Sequence, residues 1–287
     1  MNDDPFLSHR GLLFTVAYEM LGSAADAEDV VQETWLRWAT VDQSEVRDAR
    51  AYMVRMVTRQ ALNRLRTVTR LREDYVGAWL PEPLLTSPDV AEDAELAVNI
   101  SIAMLTVLET LGPAERAVFV LHEVFETPYD EIAEVVGKTP AAVRQIAHRA
   151  REHVAARRPR MQVDRAQQEA TLQRFMAAIA SGDVQGLMEV LAPDVVLIAD
   201  GGGFVPAARK PLTGAGTVVA FLARVSGLSD FVATNAWFNG MPGARIDVGG
   251  DVTAVSLVIA DNRITRIYAI RNPNKLGRLE ELAELRR

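Results

Sequence analysis

The sequence predicts a multidomain chain, with two all-α domains followed by an α+β domain. Three observations predict it. Apolar residues recur at helical spacing from Phe6 to about Ala156. A proline-rich segment, residues 76–95, interrupts them with Pro81, Pro83 and Pro88. After Pro159 two amphipathic helices give way to runs of period two, and helices followed by an antiparallel sheet make an α+β order. At about 100–200 residues per domain, 287 residues suit two or three domains.

The elements follow in order. Phe6, Leu7, Leu12, Leu13, Val16, Ala17, Met20 and Leu21 predict a first helix, which Gly22 and Ser23 break. Asp26–Ala39 reads as a second helix, with Val30, Val31, Trp35 and Leu36 largely toward a core. Residues 40–48 are a polar loop, and a long third helix runs from about Ala49 to Thr69 with Tyr52, Met56, Ala61 and Leu65 facing inward. The prolines of 76–95 fix φ and remove donors, so this segment is a linker. Trp79, Leu80, Leu84 and Leu85 give it an apolar side that needs a partner. Helices are expected again from Leu96, then at 164–180, 183–191 and 213–226. Strands are expected at 195–200, 230–239, 244–248, 252–260 and 263–271, with Asp261-Asn262 as a hairpin turn.

Composition excludes several functions. The chain has no cysteine, which rules out disulfides, thiolate zinc sites and cysteine nucleophiles. No metal or cofactor is expected. No run of about 18 apolar residues occurs, so no membrane span is expected. The opening MNDDPFLSHR lacks a signal peptide's apolar centre, which predicts a cytoplasmic protein. The net charge of −7 would argue against a nucleic-acid partner. That mean hides four blocks: −7 over 1–46, +7 over 47–72, −13 over 73–137 and +6 over 138–160, with a neutral remainder. Two short basic blocks separated by acid fit two contacts on one polyanion.

The second basic block contains the sharpest local signal. In 128–154, a short helix ends at Gly137, Thr139 is placed as an N-cap, and Pro140 sits at the first helical position. The next helix buries Val143, Ile146 and Ala147 and exposes Arg144, Gln145, His148, Arg149 and Arg151. Cap, turn and one-sided basic face favour a DNA-binding helix-turn-helix over an ordinary helical hairpin. Arginine can fork onto guanine and glutamine onto adenine. In the first basic block, Arg55, Arg59, Asn63, Arg66 and Arg70 are spaced to form one stripe along the third helix, suited to tracking phosphates. The helix before it is acidic, at Asp26, Asp29 and Glu33, which suits a basic protein surface and repels DNA.

The order of DAEDVVQETWLRW, ARAYMVRMVTRQALNRLR, a linker, LGPAERAVFVL and YDEIAEVVGKTPAAVRQIAHRAR resembles the bacterial extracytoplasmic-function sigma factors over residues 6–157. The resemblance implies region 2 at 1–75, a linker at 76–100, region 4 at 101–160 and a regulatory domain at 161–287. It implies that core RNA polymerase and promoter DNA are the partners. Asp29, Gln32 and Glu33 would meet the β′ clamp helices, and region 4 the β flap. Arg55, Arg59, Asn63 and Arg66 would face the −10 element, with the 40–48 loop receiving a flipped base. Arg144, Gln145, His148 and Arg149 would read the −35 element. The chain departs from the family at Asn63-Arg64-Leu65-Arg66, where an acidic residue often follows the asparagine.

WLPEPL at 79–84, DGGG at 200–203 and NPNKL at 272–276 resemble the signatures of the subgroup, sometimes called ECF41 or SigJ-like, with a fused SnoaL-like domain of NTF2-like cone fold. Asn274 replaces the usual aspartate of the third signature. Such a cone can hold a small ligand, and its relatives include cyclases and isomerases. Here no histidine follows His153. Asp200 either caps the glycine turn or acts as acid or base, and Lys275 either pairs with an acid or acts chemically. Regulation by contact is the expectation, not catalysis. Asp200, Gly201, Asn272, Pro273 and Lys275 would help dock the tail against region 2 and against Trp79, Leu80, Pro81 and Glu82 of the linker. The alternatives are a stand-alone helix-turn-helix regulator sensing a ligand in the cone, and a SnoaL-like enzyme with a DNA-binding appendage.

Overall fold

The computed structural model describes residues 5–88, 94–161, 164–227 and 230–286. Residues 89–93 of the expected linker lie outside these. The chain forms two compact units. One comprises Met1–Asp74, Leu105–Arg158 and Glu284–Arg287; the other comprises Tyr75–Met104 and Pro159–Ala283. The second includes the described part of the 76–100 segment.

In the first unit, helices α1 (Pro5–Leu21), α2 (Ala24–Trp38) and α3 (Ala49–Arg72) pack together. Ser23 starts α2 by accepting from the Asp26 N–H at 3.2 Å, and Asp48 starts α3 by accepting from the Ala51 N–H at 2.9 Å. Leu13, Val16, Ala17, Met20, Met53, Val57 and Ala61 fill the core. Ala27, Val30, Val31, Thr34 and Trp38 form the buried face of α2. Trp35 and Leu36 fall off that face and are exposed, 44% and 54%, contrary to the inward placement expected for them. Leu7 is also at the surface.

Helices α4 (Ala94–Ile100) and α5 (Ile102–Leu108) lead into α6 (Pro113–Phe119), a π-turn at 120–124, α7 (Tyr129–Val136) and α8 (Pro140–Arg157). Near the C-terminus Leu285 is buried, and the Arg286 N–H donates to Thr15 Oγ1 at 3.1 Å. Gly11, in mid-helix, faces the Arg286 side chain at 3.4 Å, so the glycine accommodates this close approach.

In the second unit, α9 (Arg165–Ser181), α10 (Val184–Val190) and α11 (Ala215–Ser226) pack on a six-stranded sheet. Its strands are β1 (Leu191–Asp200), β2 (Leu212–Thr213), β3 (Phe231–Phe238), β4 (Met241–Val248), β5 (Asp251–Ala260) and β6 (Arg263–Ile270). Their order is β2-β1-β6-β5-β4-β3. The sheet is not wholly antiparallel as expected: β1 pairs with β6 in parallel, Val196 opposite Arg266 through Asp200 opposite Ile270. Asp261 and Asn262 both take positive φ, 50° and 59°, and close the β5–β6 hairpin. Asn239 and Gly240 do the same between β3 and β4, at 56° and 69°.

Period-two alternation gives the sheet two apolar faces. Val195, Leu197, Leu257 and Ile267 meet Leu172, Phe175, Val218 and Leu222 of the helices. Ala254, Val258, Tyr268 and Ile270 meet Leu80, Ile102, Ala103 and Leu279. The segment around 80–103 therefore completes the core of this unit.

A Cβ on Gly240 would lie 2.8 Å from the Ala97 Cβ and 2.9 Å from its Cα. Gly240→Ala should therefore cost about 1–3 kcal/mol through overpacking and left-handed strain. Chemical denaturation with a probe at Trp237 measures this; an unchanged midpoint contradicts it.

Candidate functional site

Three surfaces or clusters carry the sequence-predicted residues. The first is on α8. Gly137 ends α7 in the left-handed conformation, and Thr139 Oγ1 accepts from the Ala142 N–H at 3.3 Å. Val143, Ile146 and Ala147 are buried, while Arg144, Gln145, His148 and Arg149 are exposed together on the opposite side. The Arg144 guanidinium lies 5.9 Å from the centre of the Tyr129 ring, and His148 Nε2 lies 3.5 Å from the Glu152 carboxylate. The arrangement is a helix that carries adjacent hydrogen-bond donors on one exposed face.

The second lies on α2 and α3. Arg59, Asn63 and Arg66 are exposed, Arg55 is half-buried, and Arg66 donates to Asn63 Oδ1 at 3.3 Å. A hollow of about 420 Å³ opens beside Arg55, lined by Asp42, Glu45, Asp48 and Tyr52. Asp29, Gln32 and Glu33 are exposed on α2. Gln32 also borders an apolar groove of about 320 Å³ with Phe6, Leu7, Val31 and Trp35. Arg64 bonds Asp26 at 2.7 Å and lies 3.6 Å from Asp29, so its pKa is raised, chiefly by the Asp26 hydrogen bond.

The third is a buried cluster in the second unit. Asp200, at the end of β1, is 0% exposed. Its Oδ1 accepts from the Tyr75 hydroxyl at 2.6 Å and the Gly202 N–H at 3.0 Å. Its Oδ2 accepts from the Leu80 N–H at 2.9 Å and Lys275 Nζ at 2.7 Å. Lys275 Nζ also donates to the Leu80 carbonyl at 2.5 Å and lies over the rings of Trp79, at 4.1 Å, and Tyr75, at 4.9 Å. Asn272 donates to the Tyr75 hydroxyl at 2.7 Å and accepts from the Asn274 N–H at 3.0 Å, with Pro273 opening a short 3₁₀ turn. Pro81 and Glu82 are buried directly downstream of Leu80. Gly202 has φ +60°, and a Cβ there would lie 2.3 Å from Asn272 Nδ2. Gly201 packs against the Val205 carbonyl, leaving no room for a Cβ.

The sequence reading missed Tyr75 and Asn239. Asn239 accepts from the Leu84 N–H at 2.9 Å and donates to the Ile100 carbonyl at 2.9 Å. Thr86 adds a backbone bond to Trp237, also at 2.9 Å. The Asn-Gly pair at 239–240 is a strong hairpin signal that could have placed the turn; nothing local in the sequence marks Tyr75.

Chemically, the cluster is a closed set of bonds. Each Asp200 oxygen already has two donors, so its carboxylate is committed to the linker. The helix-facing side of the sheet is filled by apolar side chains. Tyr268, on the other face, is pushed up to about 12 by burial and stays a neutral phenol. Among the described residues, no group of three His, Asp or Glu side chains is placed to hold a metal ion. A hollow of about 490 Å³ lies beside the glycine turn, lined by Val76, Gly77, Gly203, Phe204 and Arg209.

Helical segments with exposed basic faces precede three helices packed on a six-stranded sheet, and the comparisons name the class. Residues 6–71 match the family Sigma-70 region 2, and residues 101–154 match Sigma-70, region 4. The chain belongs to the extracytoplasmic-function RNA polymerase sigma factors. It is 35% identical to the ECF RNA polymerase sigma factor SigJ of Mycobacterium tuberculosis, over 96% of this chain and 93% of that one. It is 32% identical to the probable ECF RNA polymerase sigma factor SigI of the same species, over 95% and 93%. The crystal structure of M. tuberculosis SigJ superposes with a TM-score of 0.77 at 34% identity, covering 96% of this chain and 98% of that one.

Asp200→Asn should be more disruptive than Lys275→Ala. It leaves the ammonium, 11% exposed, without its buried counter-charge, a loss of about 3–5 kcal/mol. Thermal melts of the two variants, with Trp79 fluorescence reporting linker release, measure the difference. Melting temperatures unchanged from wild type in both variants would show that the pair is not coupled to docking.

Proposed function

We propose that the C-terminal domain regulates promoter recognition by holding the linker, and that it acts by contact and not by catalysis. The observation that carries this reading is the Asp200 carboxylate, whose bonds from the Tyr75 hydroxyl and the Leu80 N–H exist only with the linker docked. The linker covalently joins the two promoter-reading parts, so its docking sets the spacing available to them. Asp29, Gln32 and Glu33 meet the clamp helices of polymerase β′, and region 4 meets the β flap. Arg55, Arg59, Asn63 and Arg66 face the −10 element. Arg144, Gln145, His148 and Arg149 face the −35 element. The factor works in the cytoplasm with the core enzyme. A small ligand would act from the hollow beside Gly201–Gly203, next to the lock.

The test is run-off transcription with core polymerase and the full-length factor. Arg149→Ala should reduce promoter-dependent transcript about tenfold, the loss of one good base or phosphate contact. Lys275→Ala and Trp79→Ala should alter transcript yield without altering retention of core polymerase on a column. Unchanged yield with both linker variants removes the regulatory reading. Loss of core binding in either would assign the lock a folding role instead.

A further inference from the structure

Residues 73–137 carry a single basic side chain, Arg116, among 14 acidic ones, and that arginine is 1% exposed. It ion-pairs with Glu109, just past α5, whose other oxygen pairs with Arg72 near the end of α3. Both guanidiniums reach the C-terminal end of α1. Arg116 donates to the Glu19 carbonyl at 3.1 and 3.0 Å, and Arg72 to the Leu21 carbonyl at 2.6 Å. One carboxylate thus ties a region 2 helix to a region 4 helix, and both arginines cap the same helix end. Burial lowers the pKa of Arg72, an effect that Glu109 opposes.

The same packing lays α7 on the arginine stripe. Arg55 Nη1 lies 3.5 Å from Glu131 Oε2, and Arg59 Nη2 donates to the Glu134 carbonyl at 3.2 Å. Arg55 and Glu131 are each about one-third exposed, and a pair of that kind holds little by itself.

We propose that Arg72–Glu109–Arg116 is a latch that keeps region 4 on region 2 in the free factor, with acidic α7 standing on the α3 arginines where DNA phosphates would bind. The masking rests on the reading of α3 as the −10 face; the latch does not. Promoter contact then requires the triad to open.

The cysteine-free chain allows a direct test. Spin labels at Thr67→Cys on α3 and Lys138→Cys after α7 report the separation of the two regions by pulsed electron resonance. The wild-type background should give one narrow distance. Glu109→Gln, which removes the shared charge, should give a longer, broader distribution. It should also raise affinity for a fluorescent mixed-sequence single-stranded DNA about tenfold. Adding Arg59→Ala should return that affinity toward the wild-type value. Should Glu109→Gln fail to fold, Glu109→Asp keeps the charge, shortens its reach, and should shift both readouts less. Unchanged distances in every folded Glu109 variant overturn the latch. Widened distances with DNA affinity indifferent to Arg59→Ala overturn the masking, and place the fault in the assignment of α3 to promoter DNA.

Discussion

The C-terminal unit depends on one buried carboxylate. Removing an ionised aspartate from water costs several kcal/mol, and a single ion pair does not reliably offset that. Asp200 has four donors, and two of them, the Tyr75 hydroxyl and the Leu80 N–H, come from the linker. If the linker leaves, the carboxylate and Lys275 must be rehydrated and the apolar face that Leu80 covers meets water. Docking and charge burial are therefore one event. Its apolar part is substantial, because burying a leucine of this size stabilises by about 1.5–3 kcal/mol. The charged part supplies direction: only one position of residues 75–80 satisfies both oxygens.

The helical unit is organised in a similar way around Glu109. There one carboxylate serves two guanidiniums, and both guanidiniums also donate to carbonyls at the end of α1. Buried ionic groups of this kind add less to stability than apolar residues of equal volume would. What they provide is a single arrangement that is lost if one partner moves. Both clusters join segments far apart in sequence.

Much of the fold is legible in the sequence because its signals are local. Thr139, Pro140 and Gly137 define the helix-turn-helix within a few residues, and Asp261-Asn262 defines a hairpin. Where partners are distant, the sequence is silent. The parallel pairing of β1 with β6 joins strands more than sixty residues apart, and no periodicity announces it. Trp35 and Leu36 look like core residues by type, yet the helical phase set by Val30, Val31, Thr34 and Trp38 turns them outward. The apolar side of 79–85 was readable, as was the need for a partner. That Tyr75 completes the Asp200 cluster was not, since a tyrosine after an acidic pair fits an ordinary loop equally well.

The alternating charge blocks gain a physical meaning from this arrangement. The acidic segment 73–137 does not simply face solvent. Glu82 is buried beside the linker lock, Glu109 joins two arginines, and α7 meets Arg55 and Arg59 through Glu131 and the Glu134 carbonyl. Part of its negative charge is therefore opposed by the basic block that precedes it. The net charge of −7 is in this sense partly internal complementarity. Arg55 faces Glu131 and Arg59 the Glu134 carbonyl, so under the proposed latch these two arginines are offered to DNA phosphates only when a stronger competitor draws region 4 away. An extended core enzyme with separate seats for the two regions would act as that competitor without altering a single residue of the stripe.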